Sequence, residues 1–137
     1  MMEITYTTDL TGVDWNALKT AVAADDFDNG RTAEQMRISS ENSAVNIFAY
    51  AGGEIVGTAR ALSDGVCNAY VVDIWTKTPY RKRGIARRMM EMIGERVPGQ
   101  HVYLAADEQV RPFYEKLGFT PWDVGMGRVI DHWLRAE

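Results

Sequence analysis

The sequence predicts an α/β fold organised around an antiparallel meander, and three observations carry that prediction. Residues 44–51 and 54–62 are two strand-like runs separated by Gly52-Gly53, the composition of a tight hairpin. Residues 69–76, Ala-Tyr-Val-Val-Asp-Ile-Trp-Thr, form a third run that is nearly continuously apolar, as a central strand buried on both faces would be. Ile85, Met89, Ile93 and Val97 then step by four, with Ala86 and Met90 alongside, which is one face of an amphipathic helix.

The other elements follow in chain order. Glu3 to Thr8 is β-prone and reads as a short first strand. Asp14 is a candidate N-cap for a helix that carries Trp15, Leu18, Ala21 and Val22 at helical spacing. Asn29-Gly30 marks a turn, and a second helix includes Thr32 to Ser39. The helix that begins at Gly84 ends near Pro98-Gly99, His101 to Ala106 is a short strand, and Gln109 to Leu117 is a helix with Gly118 as its C-terminal cap. Over Val124 to Leu134 periodicity does not separate strand from helix, and Val129, Ile130 and Trp133 favour a terminal strand. The four prolines fall at element boundaries and there is no repeat or linker, so residues 1–137 read as a single domain, in keeping with the usual length of roughly 100–200 residues.

Composition narrows the class of protein. Hydrophobic residues at 46% and charged residues at 25% are those of a soluble globular chain and exclude a disordered or collagen-like one. No apolar run approaches the roughly 18 residues of a membrane span, and Met1 to Thr5 lacks the basic and apolar regions of a signal peptide, so no membrane partner and a cytoplasmic location are expected. A single cysteine, Cys67, excludes an internal disulfide framework and a multi-cysteine metal site; it reads as a buried or half-buried thiol, and no metal is expected.

Charge is unevenly placed. The formal net charge of −4 is the wrong sign for a general nucleic-acid binder, so no nucleic-acid partner is expected. Yet Lys77, Arg81, Lys82, Arg83, Arg87 and Arg88 form a stretch with no acidic residue. The stretch lies between a strand and a helix, with Gly84 at the helix start. Helix N-termini present unpaired N–H groups and partial positive charge, so the arrangement suits an anion, and small residues at 84 and 86 allow close approach to the backbone. The bland alternative is a solvated basic helix face. Neither G-x-x-x-x-G-K-[ST] nor G-x-G-x-x-G occurs, which disfavours a nucleoside triphosphate or a dinucleotide.

Arg81, Gly84 and Ala86 fill the pattern [Q/R]-x-x-G-x-[G/A], and the segment resembles the acyl-CoA pyrophosphate loop of the GNAT acetyltransferase family. Asp73-Ile74-Trp75-Thr76 is similar to that family's central strand, and Arg-Pro-Phe-Tyr-Glu-Lys-Leu-Gly-Phe at 111–119 to its later helix, with the F-Y-x-x-L-G-F signature. The likeness is strong over residues 44–120, weak over the first third and faint after Phe119. It implies a mixed, mostly antiparallel central sheet flanked by helices and splayed between the central strand and the next, parallel one. Acetyl-CoA as co-substrate would lie in that cleft, and an amine would be the acceptor.

The resemblance also implies roles. The pyrophosphate would sit on Arg81, Lys82, Arg83, Gly84, Ile85 and Ala86. Main-chain groups of Ile74, Trp75 and Thr76 would meet the thioester, with the Trp75 side chain either shaping the pocket or plain core. Tyr114 would be the general acid for the leaving thiolate, its alternative being an amphipathic core tyrosine. Asp107 stands where many relatives carry an asparagine on the pantetheine arm, and a carboxylate cannot donate that bond. Asp73 is the best candidate by sequence for taking the amine proton; an arginine partner explains an acid within this strand equally well. His101 and His132 read as surface or packing residues. Asp25, Asp26, Asp28 and Glu34 lie in the region that walls the acceptor side in relatives and suit a cationic amine, or are a solvated acidic loop. The acceptor is expected to be a primary amine of a small molecule or peptide, a homodimer is left open, and the alternative function is a non-catalytic acyl-CoA-binding module.

Overall fold

In the computed structural model, which describes residues 2–28 and 30–128, β1 (Ile4–Thr7) leads into α1 (Trp15–Ala24), α2 (Ala33–Glu41), β2 (Val45–Ala51), β3 (Glu54–Ser63) and β4 (Asn68–Thr76). A 3-10 turn (Thr78–Tyr80), α3 (Ile85–Arg96), β5 (His101–Leu104) and α4 (Arg111–Glu115) follow. The strands form one sheet in the order β1-β2-β3-β4-β5, antiparallel throughout except for the parallel β4–β5 pair. This is the mixed, mostly antiparallel sheet flanked by helices. Among the described residues no helix is long and apolar enough to cross a membrane.

The first two helices start at side-chain caps. Asp14 accepts from the Ala17 N–H at 3.0 Å, and Thr32 and Gln35 make a reciprocal capping box at α2. These helices cover one face of the sheet, where Leu18, Val22 and Met36 pack against Phe48, Ile55 and Trp75. On the other face the apolar stripe of α3 (Ile85, Met89, Met90 and Ile93) packs on the small and β-branched residues Ile47, Ala49, Val56, Ala59, Ala61 and Val71.

Gly57 brings α3 close to the sheet. A Cβ there would lie 3.1 Å from Ile85 Cγ2, 3.2 Å from Met89 Cε and 3.2 Å from the Trp75 carbonyl oxygen. The two side-chain ends have room to shift; the carbonyl, fixed in the sheet, does not. Gly57→Ala is therefore expected to destabilise the fold by about 1–3 kcal/mol through overpacking, seen as a lowered Tm in thermal unfolding; an unchanged Tm would show that α3 is loosely seated.

Two expectations need correction. Cys67 is exposed. It lies in the β3–β4 turn, where Asp64 Oδ1 gathers the N–H groups of Val66, Cys67 and Asn68 and thereby keeps Cys67 out of the strand. The helix expected over 109–117 is shorter, because the Asp107 carbonyl accepts from the N–H groups of Val110 and Arg111 and closes a turn first. At its other end Gly118 does take a left-handed conformation, φ 96°, and Phe119 N–H returns to the Tyr114 carbonyl. Of the segment expected to hold a terminal strand, residues 124–128 are irregular, and Val129, Ile130 and Trp133 lie outside the described residues.

Candidate active site

The site begins with one extra residue in β4. Thr58 pairs with Trp75 and Arg60 with Val72, so a single residue of β3 faces two of β4. This is a β-bulge, and Asp73 occupies it with φ 55°, a left-handed conformation that Asp tolerates better than most side chains. Asp73 Oδ2 accepts from Arg31 Nη2 at 2.7 Å and Arg60 Nε at 2.9 Å, and its carbonyl accepts from Thr58 Oγ1 at 3.0 Å. Both guanidiniums are nearly buried, with side chains 11% and 15% exposed. An acid in an apolar strand is thus accounted for by the bulge and two cations.

A bulge inverts the side-chain phase of everything after it. Ala69 and Val71 point to the α3 face, whereas Trp75 is 1% exposed in the cluster beneath α1 and α2. The Trp75 side chain is core. The bulge also coincides with the end of the β4–β5 pairing: the last partners are Val71 and Leu104, and β4 runs on to Thr76 paired with β3 alone. Because the Lys77 N–H crosses to the Val56 carbonyl on β3, alternation turns the N–H groups of Ile74 and Thr76 toward the free edge. The donors suited to an oxyanion are therefore those of Ile74 and Thr76 rather than Trp75. Thr76 Oγ1 beside them is buried with no hydrogen-bond partner among the described residues.

At the start of α3, Gly84 is the N-cap with φ 81° and offers no side-chain cap. The first intrahelical bond is Arg88 N–H to the Gly84 carbonyl at 3.0 Å, leaving the N–H groups of Ile85, Ala86 and Arg87 as the helix's orphan donors. A Cβ at Gly84 would meet nothing within 4 Å, so the space above these donors is open. Arg87 and Arg88 pair with Glu91 and Glu95 along α3, and Lys77 pairs with Glu54. Lys82 and Arg83 have no carboxylate partner among the described residues; Arg83 stacks over the Tyr80 ring at 5.4 Å. Arg81 is exposed but tethered, its Nε donating to the Thr76 carbonyl at 2.9 Å and its Nη2 lying 3.5 Å from Asp25. These residues fit an anionic, pyrophosphate-like group: open donors, two cations with no carboxylate partner among the described residues, and no Cβ in the way.

Tyr114 on α4 is half-buried against the α3-face cluster, with Ile74, Tyr80 and Leu104 in the same packing. Its ring meets Phe113 and Phe119 edge-on, at 5.0 and 6.0 Å between centroids. Burial pushes its hydroxyl above the ordinary tyrosine range, so it remains protonated at neutral pH. Asp107 is exposed, and its carbonyl starts the turn into α4.

The acidic cluster is divided by the fold. Asp28 pairs with Lys19, and Glu34 pairs with Arg37 along α2. Asp25 is tied to Trp75 and Thr78, a connection spanning about fifty residues that no local pattern signals. Beneath the α1–α2 loop lies a cavity of about 40 Å³, walled by Trp15, Phe27, Phe48 and Met36 and reached by Asn46, Arg60 and Asp73. Asn46 donates to the Ser40 carbonyl at 2.8 Å, and its buried Oδ1 has no partner among the described residues. Sequence reading did not single out Asn46, Arg31 or Arg60.

Residues 43–121 match the family model described as an acetyltransferase (GNAT) domain. The chain belongs to the GNAT acetyltransferase family. The chloroplastic serotonin N-acetyltransferase 2 of rice, Oryza sativa subsp. japonica, is 33% identical over 117 residues, which cover 80% of this chain and 58% of the rice protein. The chain thus spans little more than half the length of that relative. Among solved structures, that of a proposed acetyltransferase from Deinococcus radiodurans R1 superposes with a TM-score of 0.82 at 26% identity, covering 99% of this chain and all of the other. A structure with acetyl-CoA from Clostridium acetobutylicum shares the fold, with a TM-score of 0.69 at 20% identity over 93% of this chain and 96% of that one.

Proposed function

We propose that the protein is an N-acetyltransferase that moves the acetyl group of acetyl-CoA to a primary amine of a small molecule or peptide by direct attack on the thioester. The observation that carries this reading is the open, uncapped N-terminus of α3 beside the unpaired edge of β4. Acetyl-CoA supplies the activated acetyl group and the thiolate leaving group. Ile85, Ala86 and Arg87 N–H groups, with Lys82 and Arg83, hold the pyrophosphate. Ile74 and Thr76 N–H groups bind the carbonyl oxygen as it gains charge. The amine nitrogen forms the new C–N bond, the C–S bond breaks, and Tyr114 hands a proton to the sulfur. Asp107 is left with at most an accepting role on the pantetheine arm.

Asp73 is given the role of holding the bulge, where both guanidiniums bind its Oδ2, and the amine proton leaves through water. Asp73→Asn is then expected to lower Tm and to reduce kcat by a similar factor at every pH. A loss confined to low pH, recovering as the free amine becomes abundant, would instead make Asp73 the base.

The function is tested by following thiol release from acetyl-CoA over a panel of alkyl amines, arylalkyl amines including serotonin, and peptide N-termini. The name of the rice relative supports including the arylalkyl class. Tight acetyl-CoA binding with no turnover on any amine would favour the acyl-CoA-binding module. The exposed, unpaired Cys67 suits a reducing compartment such as the cytoplasm.

A further inference from the structure

We infer that Asp25 is a positioning residue for the acetyl-CoA loop, acting through Trp75, Thr78 and Arg81, an inference that rests on the acetyl-CoA reading above. Asp25 ends α1, where its N–H donates to the Ala21 and Val22 carbonyls at 3.2 Å. Its carboxylate reaches the end of the central strand. Oδ2 accepts from Trp75 Nε1 at 2.8 Å and from the Thr78 N–H at 3.1 Å, and Oδ1 accepts from Thr78 Oγ1. Arg81 Nη2 adds an ion pair at 3.5 Å. The Asp25 side chain is 15% exposed, while its Arg81 partner is 53% exposed, so the ion pair lies at the surface and the Trp75 bond is the more sheltered contact.

Each of those partners flanks a group that would touch acetyl-CoA. Trp75 lies between Ile74 and Thr76, whose N–H groups face the free edge of β4. Thr78 opens the turn that sets where α3 begins. Arg81 is clamped between Asp25 and the Thr76 carbonyl, which fixes one edge of its five-donor fork. One carboxylate thus fixes the spacing between the oxyanion donors and the pyrophosphate seat. The acid sits near an anion site, which would be unfavourable without the arginine between them.

The test compares Asp25→Asn and Thr78→Val by calorimetry with acetyl-CoA and by steady-state kinetics on the best amine. Asp25→Asn keeps the shape, removes the charge that holds Arg81 and aims an amide N–H at a present donor. It is expected to raise KM for acetyl-CoA about tenfold or more, leaving KM for the amine nearly unchanged. Thr78→Val removes one donor and is expected to act in the same direction with a smaller effect. The double variant should be little worse than Asp25→Asn alone, because the two changes break one shared contact, and Asp25→Glu should recover part of the loss. Wild-type acetyl-CoA affinity in folded Asp25→Asn, or fully additive effects, would overturn the inference. If Asp25→Asn does not fold, an unchanged acetyl-CoA affinity in Thr78→Val overturns it. A wild-type chain that fails to bind acetyl-CoA defeats the functional reading itself, whereas equal binding by wild type and variant defeats only the role of Asp25.

Discussion

Gly84→Val is expected to weaken acetyl-CoA binding roughly ten- to a hundredfold while leaving the fold in place. Gly84 holds φ 81° and ψ 9°, and a side chain in that region costs about 1–2 kcal/mol, more for a β-branched one. Against the roughly 5–15 kcal/mol of a typical domain this is tolerable, and the new Cβ meets no protein atom within 4 Å. The damage falls on the ligand. A phosphate must come within about 2.7–2.9 Å of the N–H groups it binds, and the valine methyls would occupy the space above the first turn of α3. Charge-assisted hydrogen bonds of this kind are worth about 1.5–3 kcal/mol, which is the source of the expected factor. Calorimetry with Gly84→Ala as an intermediate step checks it. Unchanged Kd in a folded Gly84→Val protein would move the anion seat away from α3.

The parts of the fold legible in the sequence are those written in local patterns. Asp14 and Thr32 announce helix starts, and Gly52-Gly53 announces the β2–β3 hairpin. The four-residue apolar step after Gly84 becomes the stripe of α3. What the sequence hides depends on pairings made only after folding. Asp73 is visibly out of place in an apolar strand, yet nothing local says that it forms a bulge or finds Arg31 and Arg60. Because of that bulge, Trp75 cannot be assigned to a face by counting residues from Val71. Asp25 reads as one acid among several until Trp75 and Thr78, about fifty residues away in sequence, reach it at the end of β4. The basic stretch is legible as a whole, but its division into Lys77, Arg81, Arg87 and Arg88, which are paired, and Lys82 and Arg83, which have no carboxylate partner among the described residues, follows from where Glu54, Asp25, Glu91 and Glu95 come to lie.

Tyr114→Phe is expected to lower kcat by about 10²-fold, with acetyl-CoA affinity and the fold retained. The substitution removes one hydroxyl from a ring packed edge-on between Phe113 and Phe119, so little volume or apolar contact is lost. General acid catalysis is worth roughly 10²- to 10⁴-fold. The lower end applies because burial raises Tyr114 above its usual value near 10, whereas an ordinary thiol lies near 8.5. Each unit of that difference costs about 1.36 kcal/mol for complete proton transfer, so Tyr114 acts best as a hydrogen-bond donor to sulfur while charge develops. Two pH effects follow. The raised hydroxyl stays protonated around neutral pH, so Tyr114 should give kcat no alkaline limb there. A raised folded pKa also means that Tyr114 contributes stability fully below pH 10 and loses it as pH rises through its folded value, a loss that Tyr114→Phe should lack in thermal unfolding. The rate defect should shrink for an aryl thioester, whose more acidic thiol departs without a proton. Full kcat in Tyr114→Phe across pH would hand the proton to water; with no thiol released by wild type on any amine, the same site would serve to bind acyl-CoA without turnover.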